Sequence, residues 1–153
     1  MLALRPMSQD EFAAFYAFGV EDYAQERSRN FDTPLEDERA ESARQFADLL
    51  KDGLQTAGQH LWKVVDDRGE AVGSLWVAVQ AEQQRAFIFD IVMDEDQRGK
   101  GYGGQTLQLL EEELRPLGIQ RIGLNVFADN PRAMHLYEKQ GYRFTNHNMT
   151  KQI

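Results

Sequence analysis

The chain contains no cysteine, and proline is scarce, with four residues in 153. Without a thiol there can be no disulfide, no thiolate nucleophile and no Cys-based zinc site. This fits a reducing, cytoplasmic setting. A single domain over residues 1–153 would bury roughly 70% of the surface its unfolded chain exposes, so it needs neither disulfide nor structural metal. Long hydrophobic runs are also missing. None approaches the ~20 residues of a membrane helix, and the N-terminal MLALRPMSQDEF lacks the apolar core and cleavage site of a signal peptide. A soluble protein is expected. The histidines (His60, His135 and His147) show no ligand spacing such as H-E-x-x-H, so no metal site is expected. Positive charge is in deficit, with 17 basic against 25 acidic side chains and a net charge of −8. An acidic surface repels nucleic acid and anionic membranes. It either attracts a cationic substrate or serves only solubility.

Hydrophobic periodicity organises the rest. Ser8 and Glu11 form a capping-box pattern, followed by Phe12, Phe15, Tyr16, Gly19 and Tyr23 at helical spacing. Residues 24 to 33 are polar and aperiodic and read as a loop. Thr33, Pro34 and Glu36 read as a second helix start, with Leu35, Ala43, Phe46, Ala47, Leu50 and Leu54 on its buried face. His60 to Val65 and Ala71 to Val79 then flank Asp66-Asp67-Arg68-Gly69 as a hairpin. A third run, Ala86 to Met93, is apolar on both faces apart from Asp90, the pattern of a covered central strand. Leu107, Leu110, Leu114 and Leu117 mark a helix from Gly101 onward, and Ile119 to Phe127 returns to a strand. Asn130 and Pro131 open a last helix that Gly141 ends, and Tyr142 to Ile153 reads as one or two closing strands. The order β-α-α-β-β-β-α-β-α-β-β predicts an α/β (α+β) fold, a mixed sheet of about six to seven strands with about four helices against it.

The chemistry concentrates in Gln97-Arg98-Gly99-Lys100-Gly101-Tyr102-Gly103-Gly104, between the central strand and a helix. Glycines let backbone approach a ligand and expose N–H groups, and the helix behind adds its positive end, which suits a pyrophosphate. Gly99, Gly101 and Gly104 also satisfy G-x-G-x-x-G. That fingerprint belongs in a first βα unit with an acid about 20 positions on. Residues 119 to 125 contain none, and too little chain follows for a dinucleotide domain. No Walker string is present either.

Arg98-Gly99-Lys100-Gly101-Tyr102-Gly103 instead matches [RQ]-x-x-G-x-[GA], the hallmark of the GCN5-related N-acetyltransferase (GNAT) family, which the chain resembles. The preceding Ile91-Val92-Met93 and Asp94-Glu95-Asp96, and the later Asn130, Leu136-Tyr137 and Gly141-Tyr142, occupy places with counterparts in that family. The resemblance is specific from about residue 86 to 144 and elsewhere covers only the order of elements.

The resemblance implies a mostly antiparallel GNAT-like acyl-CoA N-acyltransferase fold and transfer of an acetyl group from acetyl-CoA to a primary amine of a small molecule or an exposed peptide. It further implies that backbone groups of Ile91, Val92 and Met93 bind pantetheine beside a splayed strand. Arg98, Gly99, Lys100, Gly101, Tyr102, Gly103 and Gly104 would then hold the pyrophosphate. Asn130 either meets the pantetheine amide or caps its helix. An alkyl amine has a pKa of about 10.4, so direct attack needs a base. Asp90 is the leading candidate, with Glu21, Asp22 and Glu26 as alternatives. Tyr137 matches the family's acid, which protonates the departing thiolate, and Tyr142 reads as core. Trp62 and Trp76 either line the acceptor pocket or pack in the core. Homodimers are common in the family. The rival reading is a non-catalytic acyl-CoA-binding regulatory module, but a retained Tyr137 favours catalysis because binding alone needs no proton donor.

Overall fold

In the computed structural model, which describes residues 1–153, β1 (Ala3–Pro6) leads into α1 (Gln9–Phe31) through the capping box that the sequence announces. Glu11 N donates to Ser8 Oγ at 3.2 Å and Ser8 N donates to Glu11 Oε1 at 2.9 Å. Arg5 adds a two-pronged contact to the same carboxylate, and its guanidinium holds Glu11 down to about 2. The helix does not stop at Tyr23. It continues through residues 24–31, where a loop was expected, and ends at Asp32 in the left-handed region at φ 54°. Ala24, Gln25, Glu26 and Arg27 are good helix formers, and tertiary contacts supply what periodicity lacks. Ala24 is fully buried. Arg27 pairs with buried Glu38 and lies over the Tyr23 and Phe31 rings at 5.7 and 4.9 Å.

The second helix, α2 (Leu35–Leu49), starts one residue later than the sequence implies, with Pro34 rather than Thr33 as its cap. The Thr33 hydroxyl instead donates to Glu38 Oε1 at 3.0 Å. β2 (Gln59–Val65), β3 (Ala71–Gln80) and β4 (Arg85–Met93) follow as an antiparallel meander. The hairpin turn is tied by Asp66 Oδ1, which accepts from Arg68 N and Glu70 N at 2.9 and 3.0 Å. α3 (Tyr102–Leu114) carries the chain across to β5 (Arg121–Leu124), which lies parallel to β4, and α4 (Pro131–Lys139) comes last.

The sheet has five strands in the order β1-β2-β3-β4-β5, antiparallel except for its last pair. It is covered on both faces. Phe12 and Phe15 of α1, Phe46 of α2 and Leu50, its C-cap, pack on Leu61 and Trp76. Leu107, Leu110 and Leu114 of α3 pack on Leu75, Val77, Ala86, Ile88 and Ile119. Each fully buried leucine, isoleucine, valine or phenylalanine among them contributes about 1.5–3 kcal/mol. Trp76 belongs to the first core, with its Nε1 donating to Gln59 Oε1 at 2.7 Å. Trp62 lies partly buried against the α3 core.

The expectation of six to seven strands is too high. Residues 142–153 form no strand, and the run read as a strand over Ile119–Phe127 shortens to Arg121–Leu124. The tail offers Tyr142, Phe144, Met149 and Ile153 separated by polar stretches, and almost all of it is exposed. It has no apolar face to bury, and β5 is too short to template a longer ladder.

Candidate active site

β4 positions the site through an irregularity. Trp76 is opposite Asp90 and Val77 is opposite Ile88, so Phe89 is an extra residue in β4. A bulge bends its strand and resets which face the following residues occupy. Strict alternation would send Asp90 to the face of Ala86 and Ile88, into the leucines of α3. With the bulge it shares the face of Trp76, under α1. Phe89 stacks on Trp76 there at 4.7 Å.

The same point ends the pairing of β4 with β5. Their register runs from Arg85↔Arg121 to Ile88↔Leu124, while β4 continues to Met93. Phe89 to Met93 therefore have no neighbour in the sheet on the β5 side. Asp94 N donates to Val72 O at 2.9 Å, just beyond the Gly73↔Met93 pair. Antiparallel pairs alternate between bonded and non-bonded. Val92 and Asp90 consequently direct their backbone groups at β3, and Ile91 and Met93 direct theirs into the opening. Of the run Ile91, Val92 and Met93, the first and last present free-edge groups. Met93 O accepts from Arg98 Nε at 3.3 Å.

The glycine-rich segment turns from this edge into α3. Gly99 and Gly101 have φ of 80° and 78°, with nothing within 4 Å of where a Cβ would stand. Gly101 is the N-cap of α3 and no side chain caps the helix, so its first N–H groups remain available to an anion. Arg98 and Lys100 are exposed beside it, and Lys100 Nζ is 3.0 Å from Gln97 Oε1 and 5.9 Å from the Tyr102 ring centre. Gly103 and Gly104 have a different duty. A Cβ on Gly103 would meet Leu136 Cδ2 at 3.0 Å, and one on Gly104 would meet Gln140 Nε2 at 2.8 Å. Their smallness lets α4, which carries Tyr137, approach α3.

Tyr137 packs edge-on against Tyr142 at 5.8 Å, and burial pushes its hydroxyl up to about 12, helped by the charges of Asp90 and Glu26. Burial raises Asp90 to about 7, with Asp22 adding like-charge repulsion and the Ile91 N–H opposing. Glu26 is raised to about 8 by burial, then by Asp22 and Asp90. Asp22, Glu26, Asp90 and Tyr137 therefore share one electrostatic neighbourhood. Glu21 does not join it, because Arg39 clamps it at 2.8 Å and holds it down to about 2. Asn130 Oδ1 accepts from Ala133 N at 3.1 Å and caps α4. The Tyr142 hydroxyl is buried without a partner and raised to about 12. No group of three or more His, Asp or Glu side chains is placed to hold a metal ion, and no helix is long and apolar enough to cross a membrane.

The bulge at Phe89 is what the sequence reading missed. A charged Asp90 on the same alternation as Ala86 and Ile88 was the signal for it.

The family model described as the acetyltransferase (GNAT) family matches residues 18–142. The chain belongs to that family. This N-acetyltransferase is 37% identical over 154 residues to YycN of Bacillus subtilis (strain 168), an uncharacterised N-acetyltransferase, with 99% of each chain covered. The crystal structure of YycN superposes with a TM-score of 0.95, covering 100% of this chain and 99% of that one. The spermidine N(1)-acetyltransferase of Vibrio cholerae is 24% identical over 116 residues, which cover 75% of this chain and 67% of that protein. The structure of the spermidine N-acetyltransferase from V. cholerae in complex with CoA and spermine shares the fold, with a TM-score of 0.63 and 18% identity over 92% of this chain and 79% of that one.

Proposed function

We propose that residues 1–153 act as one catalytic domain that transfers the acetyl group of acetyl-CoA to a primary amine by direct attack. The observation that carries this reading is the free edge of β4. Ile91 and Met93 direct backbone groups with no strand partner into an opening that Asp90 and Tyr137 flank and the N-terminus of α3 closes at one end. The fit to coenzyme A rests on that edge, which can take an amide-bearing chain as an added strand, and on the uncapped helix start behind Gly99 and Gly101 for the phosphates.

Acetyl-CoA supplies the acetyl group as a thioester. Arg98, Lys100 and the N–H groups from Gly99 to Gly104 hold the pyrophosphate. Ile91 and Met93 hold the pantetheine, and the Ile91 N–H stabilises negative charge developing on the acetyl carbonyl oxygen. Asp90, raised to about 7 by burial, accepts the ammonium proton, directly or through water, and leaves the neutral amine to form the new C–N bond. Tyr137 remains protonated at working pH and donates to the sulfur as the C–S bond breaks. Burial of the departing thiolate raises its pKa in turn and narrows the gap to tyrosine.

The acceptor is a cationic amine. Asp22, Glu26 and Asp90 lie beside the opening, and the net charge of −8 favours approach of a polyamine, an amino sugar or a basic peptide. The likeness to a spermidine acetyltransferase is consistent with that class. The test is release of free thiol from acetyl-CoA across a panel of amines. Amine-dependent release is expected, and coenzyme A binding without turnover on any acceptor would sink the reading.

A further inference from the structure

After Leu124 the chain leaves β4 and crosses towards α1 before α4 begins at Pro131. Asp129, on this crossing, meets the end of α1. Asn30 Nδ2 donates to Asp129 Oδ1 at 3.0 Å, Arg29 Nε donates to Asp129 Oδ2 at 3.0 Å, and Asp129 N donates to Asn30 Oδ1 at 3.3 Å. The same Asn30 Nδ2 also donates to Glu26 O at 2.8 Å. One amide therefore joins the carboxylate-bearing turn of α1 to the residue that precedes Asn130, the cap of the helix carrying Tyr137. Phe127 reinforces the junction, with its ring 6.1 Å from Tyr23 and 5.9 Å from Phe31.

We propose that Asp129 is a positioning residue. Gripped by Arg29 and Asn30, it sets the carboxylates of α1 against the Tyr137 helix across the β4–β5 opening and so fixes the acceptor side of the site.

The energetics favour a positional role over a global one. The Arg29–Asp129 pair is about half exposed, at 55% and 40% of the side chains, so it adds at most about 1 kcal/mol to stability. Its geometric effect is larger. Without the contacts from Arg29 and Asn30 the Phe127 ring still packs on Tyr23 and Phe31, but no hydrogen bond joins the Glu26 turn to Asp129, and a misplacement of about 1 Å costs a reaction about a hundredfold. The contact persists at working pH, because Asn30 and Arg29 hold the Asp129 carboxyl below its ordinary range. Both the coenzyme edge of β4 and the start of α3 lie outside this junction, so coenzyme binding should be spared.

This inference rests on the amine-acetylation reading, and its test separates the two. Asp129→Ala, Asp129→Asn and Arg29→Ala are compared with the wild type for KM of the amine, KM of acetyl-CoA, and amide hydrogen exchange over residues 23–31. Asp129→Ala is expected to raise the amine KM about tenfold, leave the acetyl-CoA KM within about twofold, and speed exchange at the end of α1. Asp129→Asn keeps an acceptor for Asn30 but presents an amide donor to Arg29 Nε, so it should recover part of the loss. An unchanged amine KM in Asp129→Ala, a parallel rise of both KM values, or equal impairment by Ala and Asn overturns the proposal. If the wild type acetylates no amine, the catalytic reading fails, and the exchange measurement, which needs no turnover, decides alone: faster exchange supports the junction and unchanged exchange rejects it.

Discussion

Asp90 stands opposite Trp76 in the β3–β4 ladder, on the face that α1 covers, because Phe89 is an extra residue in β4. A carboxyl so placed is half-buried, raised to about 7, and adjacent to the free edge at Ile91. As a base it works only when ionised, so kcat/KM should climb as pH rises through about 7. Asp90→Asn is expected to lower kcat/KM about a hundredfold and to remove that limb, leaving a dependence governed by the amine itself at about 10.4. Steady-state rates from mildly acidic to alkaline pH check this. A limb that survives in Asp90→Asn but disappears in Glu26→Gln assigns the base to α1 instead.

Tyr137 is raised to about 12 by burial and by the Asp90 and Glu26 charges, so its hydroxyl carries its proton over the whole working range. Removing only that hydroxyl, Tyr137→Phe, keeps the ring against Tyr142. Turnover should fall about a hundredfold, with coenzyme A affinity by calorimetry within about twofold and stability nearly unchanged. Undiminished turnover would remove the proton-donor role.

Local signals made much of this fold legible. The Ser8–Glu11 box, the Asp66–Gly69 turn, the leucine stripe of α3 and the Asn130–Pro131 start each declared an element within a few residues. The glycine-rich loop between β4 and α3 was legible for the same reason, since its glycines and cations are contiguous. What stayed hidden depends on distant partners. Residues 24–31 extend α1 because Arg27 finds Glu38, Tyr23 and Phe31, and no periodicity announces that. The free edge depends on where β5 stops, and the grouping of Glu26 with Asp90 depends on a bulge. The overcounted strands at the C-terminus show the converse, since scattered aromatics there suggest strands that have nothing to pair with.

Gly101 adopts φ 78° with open space around it, so replacing it tests backbone strain without a clash. Gly101→Ala forces a side chain into the left-handed region at a cost of roughly 1–2 kcal/mol. A thermal scan should show Tm lowered by about 2–4 °C for each kcal/mol. The strain falls on the N-cap of α3, where the first N–H groups would meet phosphate. The KM for acetyl-CoA should therefore rise about tenfold, while the amine KM moves little. Equal changes in both would disconnect this loop from the coenzyme.

Stability should be greatest at mildly acidic pH, which follows from the carboxyls whose pKa values folding raises. Asp90 and Glu26 hold their protons in the folded chain up to about 7 and 8, whereas unfolded carboxyls release them near 4. The folded state binds more protons between those limits, so its stability falls as pH climbs from about 4 to 8. The acid side runs the other way. Glu11 is held down to about 2 by Arg5 and Ser8, and the stability it contributes is present above its ordinary range and lost as pH falls through about 2. Tm measured across pH should peak between these limbs. Asp90→Asn cannot ionise, so it should flatten the alkaline decline and melt higher than the wild type at pH 8 despite its lower activity. A mutant that melts lower at pH 8 would mean that the ionised Asp90 is stabilised by a partner, and the raised pKa assigned to it would be wrong.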